Sequence, residues 1–135
     1  MRFQGRVYRE GRFWLAEVPA LAAMTQGRTR REALEMAVDW VQTMVDQEGF
    51  TAKIYAEKGE TFEVGGTDTR ALVSLLLRRR REVSGLSLAQ AAERLGVRSR
   101  NAYARYESGD SMPTVEKLVQ LIQALGSEDD LVIAS

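Results

Sequence analysis

The stretch Leu86–Pro113, LSLAQAAERLGVRSRNAYARYESGDSMP, constrains the chain more than any other. Ser87 stands where a helix needs an N-cap, Ala91, Ala92 and Leu95 recur at helical spacing, and Gly96 follows them as a helix stop. After Gly96-Val97-Arg98, Ser99 can cap a second helix that carries Arg100, Asn101, Tyr103, Arg105 and Tyr106 and ends near Ser108-Gly109. Two short helices and a tight turn, with basic and amide side chains gathered at the start of the second, spell a helix-turn-helix whose second helix suits a DNA major groove. Ser99, Arg100, Asn101, Ala104 and Arg105 are the expected DNA-facing residues. Arginine can clamp guanine, asparagine can do so with adenine, and Ala104 can at most touch a thymine methyl. Tyr103 is expected to face the domain core, and Glu107, which DNA would repel, to pair with an arginine of its own domain. The run Arg78–Arg81 circles its helix, so at most two of its members can follow one phosphate track; a solvated helix end is an equal alternative.

Charge is balanced overall, with 19 basic and 19 acidic residues, so no bulk field announces a nucleic-acid partner. Its distribution is uneven. Residues 32–68 hold nine acidic side chains against Lys53 and Lys58, whereas residues 70–109 hold nine arginines against Glu82, Glu93 and Glu107. The absence of cysteine and histidine removes disulfides, thiol catalysis, zinc fingers and histidine acid–base chemistry. No apolar run reaches the length of a membrane span, and MRFQGRVYRE at the N-terminus alternates like a strand rather than reading as a signal core. A cytoplasmic location without cofactor, metal or membrane contact is the expectation.

Taken in order, Arg2–Tyr8 and Arg12–Val18 alternate around Glu10-Gly11 and predict a β-hairpin, which Pro19 ends; the segment to Gly27 reads as a loop. Thr29-Arg-Arg-Glu32 has capping-box spacing, and Ala33, Leu34, Ala37, Val38, Val41, Met44 and Val45 predict a helix over about Arg30–Asp46. Its outer face carries Glu32, Glu35, Asp39 and Asp46. Ala52–Ala56 and Thr61–Val64 are short strand candidates, giving a β-β-α-β-β domain over residues 1–65. Residues 66–69, within Gly65-Gly66-Thr67-Asp68-Thr69, read as a linker. Residues 70–135 then form an all-α domain: a helix over Arg70–Val83, the helix-turn-helix, and a helix opened by Pro113-Thr114 and stopped by Gly126. Leu131-Val132-Ile133 reads as a short strand or part of an interface. The fold class is α+β with an appended helical domain.

Leu77–Leu125 resembles the lambda-repressor-like helix-turn-helix family, also called XRE or Cro/C1. The resemblance rests on Arg80–Glu82, Gly85-Leu86-Ser87, Ala92–Val97, Arg105–Gly109 and Pro113 with the helix after it. Two departures stand out: Leu88 replaces a frequent glutamine that contacts the DNA backbone, and the turn Val97–Asn101 is one residue longer than usual. The first half, with its hairpin, Glu17-Val18-Pro19-Ala20-Leu21, Thr25–Leu34 and an acidic helix, resembles the HicB family of antitoxins; the family's proline-containing segment after that helix is replaced by Phe50-Thr51-Ala52-Lys53. That resemblance implies a truncated RNase-H-like domain ahead of a DNA-binding module, and a partner, a small basic HicA-like mRNA-cleaving ribonuclease. It makes Glu35, Asp39 and Asp46 the candidate toxin-binding residues.

RNase H chemistry needs clustered carboxylates to hold two metal ions, and here the acidic residues are spread along one helix and its loops, so no enzyme is expected. The expected function is that of a type II antitoxin which neutralises the ribonuclease and autorepresses its operon as a homodimer or higher homo-oligomer on operator DNA. The alternative is a stand-alone helix-turn-helix regulator whose first domain binds a ligand or dimerises.

Overall fold

Alternation of apolar and polar side chains builds the first part of the chain. Strand β1 (Arg2–Glu10) buries Phe3, Gly5 and Val7 and exposes Arg2, Gln4 and Arg6 between them. Strand β2 (Phe13–Val18) returns antiparallel, with Val7 opposite Ala16 and Glu10 opposite Phe13. The computed structural model describes residues 1–97, 99–126 and 129–133. Its chain divides into two compact units, Met1–Leu72 and Val73–Ser135.

The segment expected as a loop before Gly27 is instead a 3-10 turn, Pro19–Leu21, and a third strand, β3 (Ala23–Gly27). Ala22, in the left-handed region at φ 49°, reverses the chain so that β3 pairs antiparallel with β2, Val18 opposite Ala23 and Trp14 opposite Gly27. The alternation is present, but the inward residues Ala23, Thr25 and Gly27 are too small or too polar to signal a strand. The unit is therefore β-β-β-α-β-β. Its five-stranded sheet, antiparallel throughout, has the order β3-β2-β1-β5-β4, with β4 at Lys53–Lys58 and β5 at Thr61–Gly65.

Helix α1 (Arg30–Val45) covers the face of the sheet that carries Phe3, Val7, Ala16, Val18, Phe62 and Val64. Thr29 caps it by accepting a hydrogen bond from the Glu32 backbone N–H at 3.1 Å, and Asp46 ends it in the left-handed region. Ala33, Leu34, Ala37 and Val41 are buried beneath it. The Thr25 hydroxyl donates to the Ala33 carbonyl at 2.9 Å, locking β3 to the first turn of the helix. Gly27 permits that approach, because a Cβ there would lie 2.6 Å from the Ala33 backbone nitrogen.

The glycines of the expected linker are hydrogen-bonded. The Met1 ammonium donates to the Gly66 carbonyl at 2.9 Å, and the Gly66 N–H donates back to the Met1 carbonyl at 3.1 Å. Asp68 then accepts from the Ala71 N–H at 3.0 Å at the start of α2 (Thr69–Val83), the helix within which the two units divide.

In the second unit, α3 (Leu88–Arg94) starts with a complete capping box between Ser87 and Gln90. It stops in a Schellman arrangement, Gly96 N–H to the Glu93 carbonyl and Val97 N–H to the Ala92 carbonyl. Helix α4 (Arg100–Ser108) follows, then α5 (Val115–Leu125), capped by Thr114. Leu75, Leu77, Ala91, Ala92, Tyr103, Leu121, Ile122 and Leu125 form the buried core. Leu131–Ile133 are exposed and form no strand.

Gly27→Ala is expected to lower unfolding stability by about 2 kcal/mol, since the new methyl must push α1 off β3. Urea denaturation of the two proteins checks this.

Candidate functional site

The geometry of α4 follows from what holds its far end. Ser74 of α2 is buried and donates its hydroxyl to the carbonyls of Glu107 and of Tyr106, the latter also accepting from the Gly109 N–H at 3.4 Å, so the carbonyls at this helix end are satisfied. Arg81, two turns further along α2, grips the Glu107 carboxylate with both sides of its guanidinium: Nε to Oε2 at 2.6 Å and Nη2 to Oε1 at 3.0 Å. Its third reach, from Nη1, goes to the Leu86 carbonyl at 2.9 Å just before α3. The Glu107 side chain is only 8% exposed. One arginine thus ties α2, the entry to α3 and the end of α4 together, and its proton is held more firmly than an ordinary guanidinium's, first by the hydrogen bond to Glu107.

Tyr103 fills the inner face of α4 and is fully buried. Its Oη makes no hydrogen bond of good geometry among the described residues, because the nearby Glu107 carboxylate is directed at Arg81. Burial first, and the Glu107 carboxylate second, push its ionisation well above the usual tyrosine range.

With its inner face and C-terminal end committed, α4 offers the rest to solvent. Ser99 caps it, accepting from the Ala102 N–H at 3.4 Å. Arg100, Asn101 and Arg105 are exposed and Ala104 is half-buried; helical spacing of three and four residues places Arg100, Asn101, Ala104 and Arg105 on one outward face. Arg98 of the turn lies outside the described residues.

The other described arginines of this unit are engaged. Arg78 and Arg79 both face Glu82, Arg80 is paired with Asp129, Arg81 with Glu107, and Arg94 donates to the Ala124 carbonyl at the end of α5. This separates the run Arg78–Arg81 from the outward arginines: its cations neutralise the domain's own carboxylates. Among the described residues of the second unit, Arg100 and Arg105 have guanidinium groups with no protein acceptor. Exposed donors without partners, at the start of a helix whose other faces are fixed, are the apparatus for hydrogen-bonding base edges and phosphates.

A family model described as a helix-turn-helix domain matches residues 73–133. The C-terminal unit is a helix-turn-helix domain. The match begins at the first residue of that unit, and α3 and α4 lie within it as two consecutive short helices joined by a turn. No curated protein matches the chain.

In the N-terminal unit, Glu32, Glu35 and Asp39 share the outward face of α1, and Asp46 sits beyond them as its C-cap. Glu35 is paired loosely with Arg31 at 3.8 Å, both in solvent. Beside this face a groove of about 500 Å³ opens between α1 and β4, floored by Leu34, Val38, Ala52 and Ile54 and rimmed by Arg30, Arg31, Glu35, Lys53 and Glu57. The groove was not legible in the sequence, because its two walls lie some twenty residues apart and meet only through the sheet. Among the described residues no three carboxylates gather as a metal site, and no helix is long and apolar enough to cross a membrane.

Glu107→Ala is expected to cost about 3 kcal/mol, because it leaves the Arg81 cation with little solvent and no counter-charge; thermal unfolding reads the loss. Tyr103→Phe should act in the other direction, raising stability by about 1 kcal/mol at neutral pH by removing an unpaired hydroxyl. Since folding raises the Tyr103 ionisation, the native chain should also lose stability as pH climbs past about 10, where the unfolded tyrosine gives up its proton and the folded one does not. That part of the alkaline loss should be missing from Tyr103→Phe in melts taken at neutral and high pH.

Proposed function

We propose that this chain is a cytoplasmic, non-enzymatic operator-binding autorepressor, and that its N-terminal unit holds a small basic HicA-like ribonuclease inactive. The DNA half rests on one observation: Arg100 and Arg105 stand exposed and unpaired on the outward face of α4, while the neighbouring arginines are spent on carboxylates and carbonyls of their own domain. One short reading helix makes few base contacts, so a homodimer on paired half-sites supplies the rest. The partner half is supported by the resemblance to HicB antitoxins and by the outward carboxylates Glu32, Glu35 and Asp39, which complement a basic nuclease.

A second reading, a stand-alone regulator that senses a small molecule, is favoured by the groove between α1 and β4, whose apolar floor and mixed charged rim suit a small amphipathic ligand.

Both halves are open to direct test. Binding to the DNA upstream of the chain's own gene should weaken by about tenfold or more in Arg100→Ala and in Arg105→Ala, and change little in Arg79→Ala, whose guanidinium already faces Glu82. Unchanged binding in both α4 variants would refute the placement of the reading helix. Co-expression with the neighbouring reading frame should yield a complex in which RNase activity is suppressed, and Glu35→Lys with Asp39→Lys should release that activity. A neighbour that neither binds nor cleaves RNA leaves the regulator reading in place.

A further inference from the structure

We propose that the free edge of β3 is a dimerisation edge, on which β3 of a second copy of this chain pairs antiparallel. The two edges of the sheet differ in kind. Along β4, Lys53, Glu57 and Lys58 are charged, the pairing with β5 slips between Tyr55 and Lys58, and Ala56 takes a left-handed backbone at φ 44°. Arg30 further covers that end, reaching Glu57 and the Gly59 carbonyl. A bulge and edge charges are what keep a strand from accepting another.

Strand β3 has none of these guards. Ala23-Met24-Thr25-Gln26-Gly27 contains no charge and no proline, and it pairs with β2 in unbroken register. Each border carries an exposed apolar side chain. On the face of the sheet away from α1, Met24 is 53% exposed, opposite Glu17 of β2, whose carboxylate is met by Arg6 at 3.6 Å, and diagonal to half-buried Leu15. On the helix side, the Ala33 carbonyl that accepts from Thr25 marks the flank of α1 nearest β3. Residues three and seven further on, Met36 and Trp40, share that flank, with Met36 44% exposed. The opposite flank of α1, with Arg31, Glu35 and Val38, faces the groove beside β4.

The strand itself is therefore uncharged, with Glu17 beside Met24 met by Arg6 and Glu32 standing at the Gly27 end, and its backbone edge is self-similar. Two antiparallel edges meeting about a two-fold axis complement each other by construction. Because the β4 edge is guarded, each copy has one free edge, and the assembly closes at two rather than growing into a filament. The second copy is the one that the half-site argument above calls for, although the edge itself is read without reference to DNA.

The test uses the full chain without DNA, so failure here is distinct from failure of operator binding. Sedimentation should give twice the 15.1 kDa chain mass. Met24→Lys and Met36→Lys, both at exposed positions, should weaken the dimer at least about tenfold with unchanged circular dichroism. Amide exchange of Ala23–Gly27 in the native protein should slow with rising concentration as the dimer forms. A native chain that stays monomeric at its highest soluble concentration overturns the proposal. So does a dimer whose Ala23–Gly27 amides exchange at a rate independent of concentration, or one that both lysine variants leave intact and removal of residues 131–135 abolishes.

Discussion

The pairing of Arg81 with Glu107 is the constraint on which the outward face of α4 depends. A buried ion pair need not add net stability to matter, since an apolar pair of similar volume often does as well; what it supplies is a geometry that only one arrangement satisfies. Two parallel hydrogen bonds fix Glu107 in rotation as well as position, and the third bond of the same guanidinium fixes the residue before the N-cap of α3. With Ser74 holding the carbonyls at the same end, the outward residues of α4 become a consequence of what is fixed inward.

Much of this unit was legible in the sequence because its signals are local. Ser87, Ser99 and Thr114 cap where their spacing says they should, Gly96 and Gly109 stop helices in the left-handed region, and Tyr103 falls on the buried face. Glu107 could be read as an internal partner, since a carboxylate on a DNA-reading helix needs a cation of its own; that the cation is Arg81 could not be read, because the four consecutive arginines differ only in direction. The structure tells them apart, with Arg78 and Arg79 sharing Glu82, Arg80 meeting Asp129 and Arg81 meeting Glu107.

The first unit was less legible, and β3 shows why. Strand signals depend on large inward side chains; here those are Ala23, Thr25 and Gly27, with Thr25 bonded to α1 and Gly27 so close to it that no side chain fits. The same tightness that secures helix to sheet removes the pattern that would announce the strand. The acidic face of α1, by contrast, was plain from spacing alone, whereas the groove beside it exists only once β4 has come alongside.

The internal commitment of the arginines bears on how such a domain would find its site. Loose, sequence-independent hold on a duplex scales with the number of cations free to displace counterions from phosphate. A copy that sets Arg78 and Arg79 against Glu82, Arg80 against Asp129 and Arg81 against Glu107 keeps less of that hold, so its encounters with random DNA would be briefer and its sliding runs shorter. Discrimination would then fall on a few directed contacts. Such a protein would be titrated less by the bulk of a genome, and fewer copies would suffice to keep one site occupied.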